Sequence, residues 1–190
     1  MLLEKGVDVN LQDGQLGNAL QAACISRNQE LVQLLLERGD DINAEGGVFG
    51  YALQAACTGG YEEDREVVAL LLESGADINA ESGYYGYALQ TASYEGNKEL
   101  VELLLGKGAD VNAQGGEYGN ALRGAESRGH DKIVRQLLER GEVADISLVH
   151  KVVTTVTTRA RGFVSEVRAA AKKRRPLLRK RLKGTEELTS

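Results

Sequence analysis

Gly86-Tyr87-Ala88-Leu89-Gln90-Thr91-Ala92, then Lys98-Glu99-Leu100-Val101-Glu102-Leu103-Leu104-Leu105, then Gly108-Ala109-Asp110-Val111-Asn112-Ala113 decide the fold, because the chain writes them repeatedly. Gly17-Asn18-Ala19-Leu20-Gln21-Ala22-Ala23 and Gly50-Tyr51-Ala52-Leu53-Gln54-Ala55-Ala56 open the same way, and each leads to its own leucine run and glycine. The closing glycines are Gly6, Gly39, Gly75, Gly108 and Gly141, in steps of 33, 36, 33 and 33. A fixed period of this length belongs to stacked supersecondary units. Each buries its apolar face on the next and leaves a long exposed surface in place of an enclosed pocket.

Within one unit, Ala88 to Glu95 reads as a short helix with small residues along one side. Lys98 to Lys107 reads as a second helix, with Leu100, Val101, Leu103, Leu104 and Leu105 at helical spacing. Gly108 follows as a residue that takes positive φ without steric cost. Residues 109–119, rich in turn formers, predict an extended, hairpin-like connector. The step of 36 comes from Gly60-Tyr61-Glu62-Glu63-Asp64-Arg65-Glu66, which replaces a shorter Gly96-Asn97-Lys98-Glu99. Its three extra residues are expected to lengthen the helix-helix turn alone.

These motifs resemble the ankyrin repeat pattern, Gly-x-Thr-Pro-Leu-His-x-Ala-Ala followed by Gly-His-x-x-Val-Val-x-Leu-Leu-Leu-x-x-Gly-Ala-Asp-x-Asn-Ala. Val67-Val68-Ala69-Leu70-Leu71-Leu72, Gly75-Ala76-Asp77-Ile78-Asn79-Ala80 and Gly129-His130-Asp131-Lys132-Ile133-Val134 carry the match. It covers about residues 1–143. The resemblance implies an all-α, ankyrin-type helix-turn-helix solenoid with hairpin-like connectors, acting as a non-catalytic protein-protein scaffold or adaptor through its concave face. One departure is systematic. Asn18-Ala-Leu-Gln21, Tyr51-Ala-Leu-Gln54, Tyr87-Ala-Leu-Gln90 and Asn120-Ala-Leu-Arg123 stand where the family has Thr-Pro-Leu-His. Asn caps a helix through its side chain, Tyr does not, and the favourable proline is gone. The glutamine is expected to reach neighbouring backbone as the family's histidine does.

The expected organisation is a remnant of an incomplete first repeat at 1–10, four repeats at 11–143, an amphipathic helix at 144–175 and a basic, flexible tail at 176–190. Leu2, Leu3 and Gly6 read as the tail of a second helix whose partner is missing, so either the natural protein extends further upstream or the first full unit has an uncovered apolar edge; a fragment or shortened gene product is the expectation. No run of 18 apolar residues and no secretory leader is read, hence no transmembrane segment. The net charge of −5 hides two halves: residues 1–150 carry 25 acidic and 11 basic side chains, and 151–190 carry 3 and 12. Cys24 and Cys57 occupy one position in adjacent units, too far apart for a disulfide if their helices pack at about 8–10 Å. Free buried thiols and an intracellular location, cytoplasmic or also nuclear, are the expectation.

Glu126 and Gln136 replace a small residue and a leucine at stacking positions, as a terminal unit needs if its far face is to tolerate water. Beyond Gly141, Ile146, Val149, Val152, Val153, Val156, Ala160, Phe163, Val164, Val167 and Ala170 form one apolar stripe at helical spacing, although Val152 to Thr158 is β-branched. The stripe either folds over the last repeat, is buried in a partner or membrane surface, or is a poorly ordered appendage. Pro176 ends or kinks it. Lys172, Lys173, Arg174 and Arg175, with Arg179, Lys180 and Arg181, form two basic clusters. They read as a solvated end, a nuclear import signal, a nucleic-acid or anionic-lipid contact, or a docking element for the acidic array. No aromatic follows Phe163, which counts against base stacking.

Phe49, Tyr51, Tyr84, Tyr85, Tyr87 and Tyr118 lie in or beside the connectors, and Leu16, Phe49, Tyr85 and Tyr118 share one equivalent position. Stacking lines them into a ridge, whose rings either contact a partner or wedge neighbouring connectors together. Ile25, Thr58, Tyr94 and Arg128, with Arg123, differ between units and are the specificity candidates, as is the Tyr61 insertion. The expected partner is a protein of unknown identity, with nucleic acid or anionic lipid reached through the tail as the alternative function. No nucleophile-base pair, phosphate loop or metal cluster emerges, so neither catalysis nor a cofactor is expected.

Overall fold

The computed structural model describes residues 14–59 and 61–141, with Glu62 and Glu63 as backbone only. The incomplete first repeat, the helix at 144–175 and the tail with its basic clusters lie outside the described residues. Among the described residues, eight helices pair in chain order: α1 (Ala19–Ile25) with α2 (Gln29–Glu37), α3 (Ala52–Ala56) with α4 (Glu62–Glu73), α5 (Ala88–Glu95) with α6 (Lys98–Gly106), and α7 (Ala121–Arg128) with α8 (Asp131–Arg140). The odd-numbered helices pack on one another as an inner layer, and α2, α4, α6 and α8 form an outer layer. Among the described residues no strand occurs, only the bridges Gly46–Gly50, Ser82–Gly86 and Gly115–Gly119 that close the connector tips. This is the all-α helical solenoid expected from the period.

The core consists of columns that run from unit to unit. Val32, Val68, Val101 and Val134 hold one position, Leu35, Leu71, Leu104 and Leu137 another, and none is more than 2% exposed. A leucine buried in this way contributes about 2–3 kcal/mol of transfer free energy. Ala23, Ala55, Ala56, Ala92 and Ala125 supply the buried small residues of the inner layer.

Polar side chains tie each unit to the next. Gln21 Nε2 donates to the Gly46 and Gly50 carbonyls at 3.1 and 2.7 Å, Gln54 to Ala80 and Gly86 at 2.8 and 3.2 Å, and Gln90 to Ala113 and Gly119 at 3.2 and 3.4 Å. The glutamine therefore does reach across, satisfying connector carbonyls that the stack withdraws from water. Gly17 precedes this system at φ 80°, and a Cβ there would land on the Gln21 amide. A second ladder uses the Asp-x-Asn turns. Asp77 Oδ1 accepts the Asn79 N–H at 2.9 Å. Asn79 then reaches the following unit, accepting from Asp110 N at 2.8 Å and donating to Gly108 O at 3.4 Å. Asn43 makes the same pair of contacts with Asp77 and Gly75.

Three details depart from the sequence reading. Helix α6 ends at Gly106, with Lys107 as its cap. The insertion does not merely lengthen a turn: it adds a turn to α4, which has 12 residues where α2 and α6 have 9. Asp64 makes this helix start viable, its Oδ2 accepting the Tyr61 N–H at 2.7 Å. Gly141 is extended at φ −77°, whereas Gly39, Gly75 and Gly108 are left-handed at 88°, 97° and 100°. At the N-caps, Asn18 and Gln21 exchange bonds of 2.9 and 2.8 Å. Tyr51 and Tyr87 make no side-chain cap bond, and only a long 3.4 Å contact from Tyr87 N to Gln90 Oε1 remains.

Candidate functional site

The connector tips form one row because backbone joins them. Val48 N donates to Gln15 O at 2.9 Å, Tyr84 N to Val48 O at 3.0 Å, and Glu117 N to Tyr84 O at 2.9 Å. These bonds set the register of the next residue in each tip: Leu16, Phe49, Tyr85 and Tyr118. In the last two units the column closes into a cluster. The Tyr85 and Tyr118 rings lie 6.5 Å apart at 20°. Tyr94, near the end of α5, stacks on Tyr118 at 4.6 Å and meets Tyr85 at 5.2 Å. Tyr84 stands on edge to both, at 5.1 Å from Tyr85 and 6.3 Å from Tyr118. Offset and edge-on pairs at these separations place the positive ring edge near a negative face.

Charge surrounds the rings. Tyr85 donates its hydroxyl to Glu95 Oε1 at 3.3 Å, and Tyr87 donates to Glu81 Oε2 at 3.0 Å. Burial, followed by the Glu95 carboxylate, pushes the Tyr85 phenol up to about 12. Tyr94 is raised as well, chiefly by its hydrogen bond with Tyr118 and then by desolvation, against an opposing Arg128. The Arg128 guanidinium lies 4.3 Å from the centre of the Tyr94 ring.

The first two units present the same row without this cluster. Leu16 is 50% and Val48 45% exposed, while Phe49 and Ile25 are half-buried. Thr58 turns its hydroxyl inward to Ala55 O at 2.7 Å. Among the ten expected protein-binding residues, Tyr84, Tyr85, Tyr94, Tyr118 and Arg128 come together; Leu16, Phe49, Ile25 and Thr58 belong to the other half. Arg123 is exposed and takes the place held by the bridging glutamines in the earlier units. Register puts Ser127, not Arg128, in line with Ile25, Thr58 and Tyr94. Gln136 is half-buried, and among the described residues its Oε1 has no hydrogen-bond partner.

Sequence reasoning missed the connection where inner helices turn into outer ones. Arg27 stands where other units have Gly96 and Gly129, and it keeps their left-handed backbone at φ 57°. Its Nε lies 2.8 Å from Asp64 Oδ1, with that carboxylate only 2% exposed. Its guanidinium also covers the Tyr61 ring at 4.1 Å. Asp64, Asn97 and His130 are equivalent, and each ties its outer helix to the preceding unit. Asn97 Nδ2 donates to Tyr61 O at 3.5 Å. His130 Nε2 sits 2.9 Å from Tyr94 O and must donate, since a carbonyl only accepts. An arginine in a glycine register was the readable signal.

Cys24 and Cys57 are free and buried. Burial, then Asp40, pushes the Cys24 thiol up to about 12; burial, then Asp64, raises Cys57 further still. Thiols held protonated in this way are poor nucleophiles. Among the described residues, no group of three or more His, Cys, Asp or Glu side chains is placed to hold a metal, and no helix is long and apolar enough to cross a membrane.

The family model described as ankyrin repeats (3 copies) matches residues 1–82 and 61–150. No curated protein matches the chain.

Proposed function

Because the chain belongs to the ankyrin repeat family, whose members are typically non-catalytic modules that mediate protein-protein interactions, we propose that it is a scaffold or adaptor. Its recognition surface is the concave face of the array, made by the connector tips and inner helices. The partner-contacting residues are Leu16, Phe49, Tyr84, Tyr85 and Tyr118 from the tips, with Ile25, Thr58, Tyr94, Arg123 and Arg128 from the inner helices.

The tyrosine cluster carries this reading. The rings could serve only as wedges between connectors, but backbone hydrogen bonds already join the tips from Gln15 through Glu117. The Leu16 half keeps that register without aromatic pairs. Rings that the stack does not require are available for contact, and tyrosine gives large area at small entropic cost. Buried free thiols fit a reducing, intracellular compartment.

A photo-crosslinking residue placed at position 84, compared with one at exposed Glu66 on α4, tests the surface. Cross-linked protein adducts are expected from position 84 alone. Adducts from Glu66 with none from 84 would move recognition to the outer helices. Phe49→Ala, Tyr85→Ala and Tyr118→Ala combined should abolish the adduct while helical circular dichroism persists; loss of folding instead would make the rings wedges.

A further inference from the structure

Resting on that reading, we infer that the tyrosine half of the face receives a cationic segment of a protein partner, an arginine-bearing stretch laid across Tyr84, Tyr85 and Tyr118. The chain itself twice sets a guanidinium on a tyrosine, Arg27 on Tyr61 at 4.1 Å and Arg128 on Tyr94 at 4.3 Å. The ring quadrupole attracts a cation placed over its face. Tyr84 is 51% exposed and stands at 88° to Tyr85 and 83° to Tyr118. Two ring orientations thus meet at a corner, one the floor and the other a wall.

Carboxylates border this corner. Glu95 accepts the Tyr85 hydroxyl, and exposed Glu117 directly precedes Tyr118. Burial first, and the Glu95 carboxylate after it, raise the Tyr85 phenol. Among the described residues, Arg123 and Arg128 on α7 carry opposing charge. Arg128 lies on Tyr94, so the partner's cations enter from the Tyr84 side, away from α7. The excess of 25 acidic over 11 basic residues in 1–150 steers such a segment in from a distance.

The test uses the full chain and three fluorescent twelve-residue peptides, of alternating Gly-Arg, Gly-Glu and Ser-Leu. The Gly-Arg peptide should bind. Tyr84→Leu with Tyr118→Leu should weaken it about tenfold, whereas Tyr84→Phe with Tyr118→Phe keeps the ring faces and stays within about twofold. Circular dichroism and melting confirm that both variants are folded. Equal Gly-Arg binding by the Leu variant would overturn the inference in favour of diffuse charge attraction. Selective loss of Gly-Glu or Ser-Leu binding in that variant would overturn the cationic occupant and leave the recognition surface standing. Failure of all three peptides would also overturn it, and adducts from position 84 would then judge the surface separately.

Discussion

Units one and two and units three and four repeat the same backbone but present different chemistry on the inner face. Leu16, Phe49, Ile25 and Thr58 make one half chemically mixed and without ring pairs; Tyr84, Tyr85, Tyr94 and Tyr118 make the other a linked cluster of rings with carboxylates beside it. Where inner helices turn into outer ones the asymmetry is reversed, because the Arg27–Asp64–Tyr61 clamp joins the first two units. The lesson is that a repeat array separates two tasks. Residues common to all units build the stack, and those that differ furnish contact.

The comparison is broken most severely at its boundary. Leu71→Ala, at a side chain with no solvent exposure, should cost about 3 kcal/mol. Because stability propagates between neighbouring units, urea unfolding should split into two transitions, and a single transition would show the halves to be inseparable. Next in size is Asp64→Ala. It strands a half-buried arginine and the Tyr61 N–H, and should lower stability by about 2 kcal/mol in chemical denaturation. Adding Arg27→Gly to that variant should recover about 1 kcal/mol, since a left-handed arginine without its carboxylate keeps its backbone strain and retains only the Tyr61 ring contact. No recovery would mean that the backbone there is unstrained.

Gln54→Leu removes the side-chain bonds from the first half to the Ala80 and Gly86 carbonyls of the second. About 1–2 kcal/mol should be lost, measured by thermal melting. The smallest effect sharpens the electrostatic contrast. The folded Tyr85 phenol stays protonated to about 12 against an ordinary value of 10.0. The unfolded chain therefore binds fewer protons between those limits, and stability falls as pH rises through the window. Tyr85→Phe should flatten that fall, and Glu95→Gln should lower the Tyr85 midpoint in ultraviolet titration; unchanged profiles would detach Glu95 from Tyr85.

Much of the architecture was legible. Glutamines at 21, 54 and 90 announced their reach because they stand in one register, and Gly108 announced a left-handed turn by following a leucine run. The insertion was located correctly, but its form was misread: three added residues do not reveal whether they extend a turn or a helix until Asp64 is seen to hold the Tyr61 N–H. The Leu16/Phe49/Tyr85/Tyr118 column was readable from spacing alone. The closure of its second half was not, because Tyr94 belongs to a different element and meets Tyr118 only after one unit is laid on the next.

By itself the sequence settled the period, the apolar columns, the left-handed turn at Gly108 and the opposite charge of the two ends. Each of these follows from local periodicity or from counting. Only the tertiary structure decided that four tyrosines share one corner and that Arg27, Asp64 and Tyr61 form a clamp. Those contacts depend on how far a tip stands from an inner helix and how one unit sits on another, distances set by packing across the stack and written in no single repeat.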